Sequence, residues 1–195
     1  EPTSAYNAAY VFASNGVRES SPSGPALIFD IEPKNILFDT PVKFSFDMAR
    51  LGLKSPKIGI YGRSDNGRRW SFIAKIDGDK LEADGIGLGQ IAILGDSTPP
   101  LISSISPAAS TTSRKPYLSC VITDDLSGVA LDGGLSMSID GRWVPAEFDI
   151  DTNKFGYRVR NPLGAGRHKL EIRAVDNQGN STVKTSFFSV TGKSK

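Results

Sequence analysis

The sequence predicts an all-β chain of two tandem immunoglobulin-like antiparallel β-sandwich domains, residues 1–97 and 98–195. Three observations predict it. Short segments of period-two alternation recur from end to end. Turn-forming residues punctuate them, with 20 Gly and 12 Pro in 195 residues. Two consecutive prolines, Pro99 and Pro100, then split the segments into two sets of seven. Prolines donate no backbone hydrogen bond and stiffen the chain, so the junction falls at Gly95-Asp96-Ser97-Thr98-Pro99-Pro100.

In the first half, strands are expected near 8–13, 26–32, 42–47, 57–62, 69–75, 79–83 and 90–95. Val42, Phe44 and Phe46 share one face, as do Trp70, Phe72 and Ala74. Met48–Lys54 reads as a loop or a short helix. In the second half, strands are expected near 101–106, 116–123, 135–140, 142–147, 155–160, 167–175 and 181–190. Leu170, Ile172 and Ala174 point inward there, while Lys169, Glu171 and Arg173 point outward. Half-polar strands of this kind are antiparallel, with one face on a core and one in water. Residues 126–133 are expected to form one helical turn. Asp65-Asn66-Gly67, Asp77-Gly78, Asp140-Gly141 and Asn177-Gln178-Gly179-Asn180 supply turn chemistry between strands.

Composition removes several classes. Hydrophobic residues are 38% and charged residues 23%, a globular balance that excludes disorder. No run of about 18 apolar residues occurs, so no transmembrane helix is expected. Lys and Arg number 23 against 21 acidic residues, for a net charge of +2. No clustered basic face is visible, which argues against nucleic acid as a partner. Residues 98–195 carry 12 basic and 9 acidic groups, an excess that favours an anionic envelope polymer. The chain begins at Glu1 rather than Met, which suggests a processed protein or a piece of a longer one.

Chemistry-bearing motifs are few. His168 is the sole His and Cys120 the sole Cys, so no disulfide, no H-E-x-x-H and no zinc ligand set can be assembled. Catalytic residues are therefore none. His168 follows Gly166-Arg167 in register with Leu170 and reads as a partly buried strand residue. Cys120 reads as a small buried hydrophobe. Glu147, Asp149 and Asp151 lie close enough in sequence to offer a carboxylate pair, yet in a hairpin that favours solvated turn residues.

Calcium is the one cofactor with donors to hand. Asp149-Ile150-Asp151-Thr152-Asn153 copies the opening D-x-D-x-N of a calcium loop. The copy then departs, with Lys154 in place of Gly and Arg160 in place of the closing Glu. Asp124, Asp125 and Asp176 could join Asp149, Asp151 and Asn153 at one end of a sandwich. The competing reading has these side chains capping tight turns. Gly85-Ile86-Gly87-Leu88-Gly89 lacks the ending of a phosphate loop and reads as a turn. Tyr61 and Trp143 are the candidate ligand-stacking aromatics, with Trp143 beside the Asp140-Gly141 turn. Asn180-Ser181-Thr182 forms a glycosylation sequon.

Four groups of residues together resemble a known family. They are Gly59-Ile60-Tyr61-Gly62 with Gly67-Arg68-Arg69-Trp70-Ser71-Phe72-Ile73; Leu88-Gly89-Gln90-Ile91-Ala92-Ile93-Leu94-Gly95-Asp96-Ser97-Thr98-Pro99-Pro100; and Asp124-Asp125-Leu126-Ser127-Gly128-Val129. The fourth joins Phe148-Asp149-Ile150-Asp151 with Gly166-Arg167-His168-Lys169-Leu170 and Ala174-Val175-Asp176-Asn177-Gln178-Gly179-Asn180. The chain resembles the non-catalytic, C-terminal immunoglobulin-like region of bacterial envelope proteins of the lysostaphin-type zinc endopeptidase family, which cuts peptide crosslinks in peptidoglycan. In that family the peptidase domain binds zinc through two His and an Asp and uses a further His. With His168 alone, none of those residues carries over. The resemblance thus implies an accessory region of a secreted, periplasmic or cell-surface bacterial protein. Its partners would be peptidoglycan or another envelope protein or glycan, and the catalytic domain of the same parent chain. The alternative is a stand-alone adhesin or carbohydrate-binding module.

Overall fold

The computed structural model describes residues 12–13, 17–21, 24–32, 42–47, 57–63, 69–75, 80–85 and 89–191. Among these residues the chain is all-β, without a helix, and none is long and apolar enough to cross a membrane. It divides into two compact units, Glu1–Thr98 and Pro99–Lys195.

The first unit contains β1 (Phe12–Ala13), β2 (Val17–Ser21), β3 (Gly24–Glu32), β4 (Val42–Asp47), β5 (Ile58–Arg63), β6 (Ser71–Lys75), β7 (Lys80–Gly85) and β8 (Gln90–Gly95). One sheet runs β1-β3-β8-β5-β6, with β2 also paired to β3, and β4 pairs with β7 separately. β5 and β8 are buried along nearly their whole length. A strand covered on both faces reads as a continuous apolar run rather than an alternation. Ile91-Ala92-Ile93-Leu94 is such a run. Ile58, Ile60, Tyr61 and Leu27 complete the described core. At one end, Arg63 Nε donates to Gln90 Oε1 at 3.0 Å and Gln90 Nε2 donates to Asp30 Oδ1 at 2.7 Å, a polar rung across three strands. The Arg63 guanidinium also lies 4.5 Å from the Trp70 ring centroid. Residues 8–11, Met48–Lys54, Asp65–Gly67, Asp77–Gly78 and 86–88 lie outside the described residues, as do the side chains of Val42, Phe44 and Phe46.

The second unit contains β9 (Leu101–Ser106), β10 (Ser110–Thr111), β11 (Tyr117–Thr123), β12 (Leu135–Ile139), β13 (Arg142–Val144), β14 (Glu147–Asp149), β15 (Lys154–Arg158), β16 (Gly166–Val175) and β17 (Ser181–Val190). A five-stranded sheet, β10-β17-β16-β12-β13, and a four-stranded sheet, β14-β15-β11-β9, supply one shared core. Leu170, Ile172 and Ala174 of β16 are buried as their alternation predicts, and Met137 and Ile139 of β12 follow the same rule. Leu118, Cys120 and Ile122 fill the core from β11, and Phe155 from β15. Each large apolar side chain so buried stabilises the fold by roughly 1.5–3 kcal/mol.

Three expectations need correction. Residues 142–147 are not one strand. Pro145 interrupts the ladder, Ala146 N donates back to Val144 O at 2.9 Å, and the chain leaves the five-stranded sheet for the four-stranded one. Residues 126–133 form bends and a turn, not a helical turn, because Val129 bridges to Asp176 and Ala130 N donates to Val175 O at 2.9 Å. Pairing is not wholly antiparallel either: β10 lies parallel to β17, with Ser110 opposite Ser189. Two residues of Ser and Thr carry no alternation, so nothing local announces that strand.

Candidate functional site

The site grows from the hairpin between β12 and β13. Ile139 pairs with Arg142, leaving Asp140 and Gly141 as the whole loop. Both have positive φ, at 50° and 80°. This is the two-residue turn whose twist matches flanking strands, and Asp-Gly is among the few pairs that adopt it. The turn holds the Asp140 carboxylate over the start of β16. Its Oδ1 accepts from Lys169 N at 2.8 Å, and its Oδ2 lies 2.7 Å from His168 Nδ1. The other ring nitrogen, Nε2, lies 3.1 Å from the Gly164 carbonyl oxygen.

A carbonyl and a carboxylate both accept, so the imidazole meets this environment best with both nitrogens protonated. The His168 side chain is 11% exposed and its ring packs 5.6 Å from that of Phe188. Burial pulls the imidazole pKa down. The Asp140 hydrogen bond, the Gly164 carbonyl and the Asp140 charge push it up and prevail, leaving it above its ordinary value. For Asp140, burial raises the pKa. The His168 hydrogen bond, the Lys169 N–H and the charges of His168 and Arg142 outweigh it, leaving the carboxyl below its ordinary value. His168 is thus a clamp joining the hairpin to β16 and to the loop before it.

A groove of about 490 Å³ opens beside this clamp. Ile139, Asp140, Arg142, Trp143 and Val144 of the hairpin line one side; Tyr157, Val159, Asn161 and Leu163 line the other. The second wall is anchored by Val159 N donating to Pro116 O at 3.0 Å and Leu163 N donating to Arg114 O at 2.8 Å. Arg114 Nε donates in turn to Leu163 O at 2.7 Å. Ile139 and Val159 are buried, while Arg142 and Asn161 are exposed. Trp143 is 68% exposed. An apolar floor with a few convergent polar groups and an accessible aromatic is the composition of a small-molecule pocket.

The other predicted residues separate. Tyr61 is corrected: it is fully buried in β5 and packs edge-on to Phe72, ring centroids 5.5 Å apart, so it offers no face to a ligand. Trp143, the other aromatic candidate, stands at the groove. Of the six calcium candidates, Asp124 and Asp176 are brought together, with carboxylate oxygens within 4.8 Å. Asp124 Oδ1 accepts from Leu126 N at 3.1 Å and Gly128 N at 2.7 Å. Asp176 is buried; its Oδ1 accepts from Gln178 N at 2.9 Å and Asn180 N at 2.7 Å. These N–H donors offset some repulsion between the carboxylates, and a divalent cation would offset more. Asp125 is exposed one residue along.

Asp149, Asp151 and Asn153 belong to the β14–β15 hairpin. Asp149 Oδ1 accepts from Asp151 N at 3.0 Å and Thr152 N at 3.3 Å, as a turn-capping Asp does. Its carboxyl lies below the ordinary value, chiefly through the Thr152 side-chain hydrogen bond and then the Asp151 N–H. Asn153 takes a φ of 55°, and its carbonyl accepts from Ile122 N at 2.9 Å. It also borders a second groove, of about 590 Å³, together with Asp124 and Asn177. Glu147, Asp149 and Asp151 are all exposed, and none lines either groove. The Cys120 thiol is pushed up to about 12 by burial, against a smaller opposing pull from Lys184. Asn180 of the sequon is buried, and its Nδ2 donates to Asp176 Oδ2 at 2.6 Å. Arg142, Tyr157, Asn161 and Leu163 carried no local signal of a site, because the two walls lie far apart in sequence.

No family model matches the chain, and no curated protein matches it. Among solved structures, CopC from Methylosinus trichosporium OB3b is similar at 18% identity and a TM-score of 0.40, over 49% of this chain and 97% of that one. Dimeric latent PorU from Porphyromonas gingivalis is similar at 14% identity and a TM-score of 0.41, over 88% of this chain and 22% of that one. A beta-1,2-glucanase from Parabacteroides distasonis shows 11% identity and a TM-score of 0.23, over 95% of this chain and 36% of that one. At these scores the likenesses carry no argument about activity.

Proposed function

We propose that the chain is a non-catalytic region of a bacterial cell-envelope protein, built as two tandem immunoglobulin-like sandwiches. It positions or targets a peptidoglycan endopeptidase domain of the same parent chain, at a secreted, periplasmic or cell-surface location. One observation supports this reading above the rest. His168, Asp140, Asp124, Asp176 and Cys120 are committed to holding the second unit together, while Trp143 stands exposed beside a walled groove. His168 and Asp140 clamp a hairpin, Asp124 and Asp176 cap loops, and Cys120 fills the core. If the region takes a metal, calcium at Asp124 and Asp176 is the choice their oxygen chemistry favours.

The test is sedimentation with purified peptidoglycan sacculi, followed by analysis of the released muropeptides. The expected result is that the chain pellets with sacculi and releases nothing. Zinc-dependent cleavage would overturn the non-catalytic assignment, and failure to pellet would overturn targeting. The exposure of Trp143 also favours a second reading, a stand-alone adhesin or carbohydrate-binding module. Peptide sequencing and intact mass of the native protein separate the two, since only the first requires a peptidase domain on the same polypeptide.

A further inference from the structure

We infer that the groove between the β12–β13 hairpin and the segment after β15 is a saccharide site that selects for an acidic substituent. The inference rests on the reading that this region contacts wall polymer, and it names the part of the polymer contacted. Trp143 supplies an aromatic plane at a groove of about 490 Å³. That volume falls within the roughly 300–1,000 Å³ typical of ligand pockets. The C–H face of a pyranose ring is apolar and its rim is hydroxylated, so it needs an apolar surface flanked by hydrogen-bonding groups. Val159 and Leu163 provide the surface; Tyr157 and Asn161 provide polar tips at the other wall.

Charge narrows the class. Two charged residues line the groove, Asp140 and Arg142. Asp140 already serves His168 and Lys169 N, so its oxygens are poorly placed to take ligand hydroxyls. Arg142 is exposed on the short β13, and its planar fork matches a carboxylate in two-point contact. Arg142 is the one cation among the residues lining the groove, and the Asp140 carboxylate is turned to His168 and Lys169 N. A sugar carrying a carboxylate therefore fits better than a neutral one. The anchored second wall and the Asp140–His168 clamp hold the site in place before ligand arrives, which reduces the ordering cost of binding.

The experiment uses the whole chain and two probes: an N-acetylglucosamine–N-acetylmuramic acid disaccharide freed of its stem peptide, so that its lactyl carboxylate is ionised, and a neutral N-acetylglucosamine oligomer. Tryptophan fluorescence and two-dimensional NMR follow each titration, and sacculus sedimentation runs in parallel. Wild type is expected to bind the acidic disaccharide more tightly than the neutral oligomer. Trp143→Ala should weaken both by about tenfold or more. Arg142→Gln should abolish the preference by weakening the acidic disaccharide to the level of the neutral oligomer. Both positions are exposed, and thermal unfolding verifies that each variant folds. Equal affinity for both probes, or an Arg142→Gln variant that keeps the preference, overturns the inference. Sacculus binding by wild type that survives Trp143→Ala overturns it while leaving the targeting role intact. Disaccharide binding without sacculus binding does the reverse.

Discussion

Asp140 links the fold to the groove, and its replacement has a pH signature that can be worked out in advance. Asp140→Ala removes three things together. The acceptor for Lys169 N is lost, at about 1 kcal/mol. Ala must occupy a φ of 50°, which costs about 1 kcal/mol more. The ion pair with His168 also disappears. Because the Asp140 side chain is 47% exposed, solvent screens that pair and its worth is taken at about 0.5 kcal/mol. The total, about 2.5 kcal/mol, corresponds to a fall of about 10–20 °C in the melting temperature of a unit this size. Asp140→Asn tolerates the left-handed backbone and can still accept from Lys169 N, so it isolates the charge. Its cost should be about 0.5 kcal/mol, or about 2–4 °C.

Both shifts of the pair set the pH window. His168 titrates above its ordinary 6.5, so its contribution is full below that value and is lost as pH rises through the raised value. Asp140 titrates below its ordinary 3.8, so its contribution is present above that value and is lost as pH falls through the lowered one. The difference between wild type and Asp140→Asn is therefore greatest between pH 3.8 and 6.5 and shrinks as the solution becomes alkaline. Circular dichroism melts of both proteins at about pH 5.5 and about pH 8.5 measure it. An equal gap at the two pH values would refute the linkage, and a gap unchanged by high salt would refute its electrostatic origin.

Three further outcomes follow from the packing and electrostatics. Gly134→Ala places a Cβ against the backbone carbonyl of Ala130, which cannot swing away, so it should lower the melting temperature more than Gly156→Ala, whose nearest obstacle is the hydroxyl end of the exposed Tyr117 side chain, which can turn aside; the reverse order in melts would refute the packing argument. Cys120 should stay unlabelled by a thiol reagent at neutral pH until denaturant is added, because its thiol is buried and pushed up to about 12; rapid labelling of the native protein would contradict this. Calcium at millimolar levels should raise the melting temperature of wild type but not of Asp176→Asn, and identical wild-type melts with and without calcium would reserve Asp124 and Asp176 for loop capping alone.

Legibility from sequence followed the range of the physical signal. Alternation is local, so Leu170, Ile172 and Ala174 announced their burial, and Asp140-Gly141 announced its hairpin. The Pro145 break was equally local, yet the apolar residues on both sides of it concealed a change of sheet. Tyr61 misled because an aromatic ring suits a ligand face and a core equally well, and only the burial of β5 decides between them. The parallel pairing of β10 with β17 joins residues 79 positions apart, and the two-residue β10 has no pattern of its own. The groove was the least legible feature. Trp143 could be named from the hairpin, but the wall facing it comes from Tyr157–Leu163, and only the closed sandwich brings the two together.

His168 illustrates why a residue that invites a catalytic reading can be better explained by the fold. A general base needs an accessible nitrogen and a proton to take. Here each nitrogen faces an acceptor, one a carboxylate and one a carbonyl, so neither is open to take a proton from a substrate. The same arrangement that disables the ring as a base keeps Asp140 in place and leaves Arg142 to face outward. On the proposed reading, it is the Arg142 cation on this clamped hairpin, beside the exposed Trp143 indole, that meets the anionic sugar. Activity assays on His168 variants would therefore be less informative than binding assays on Arg142 and Trp143.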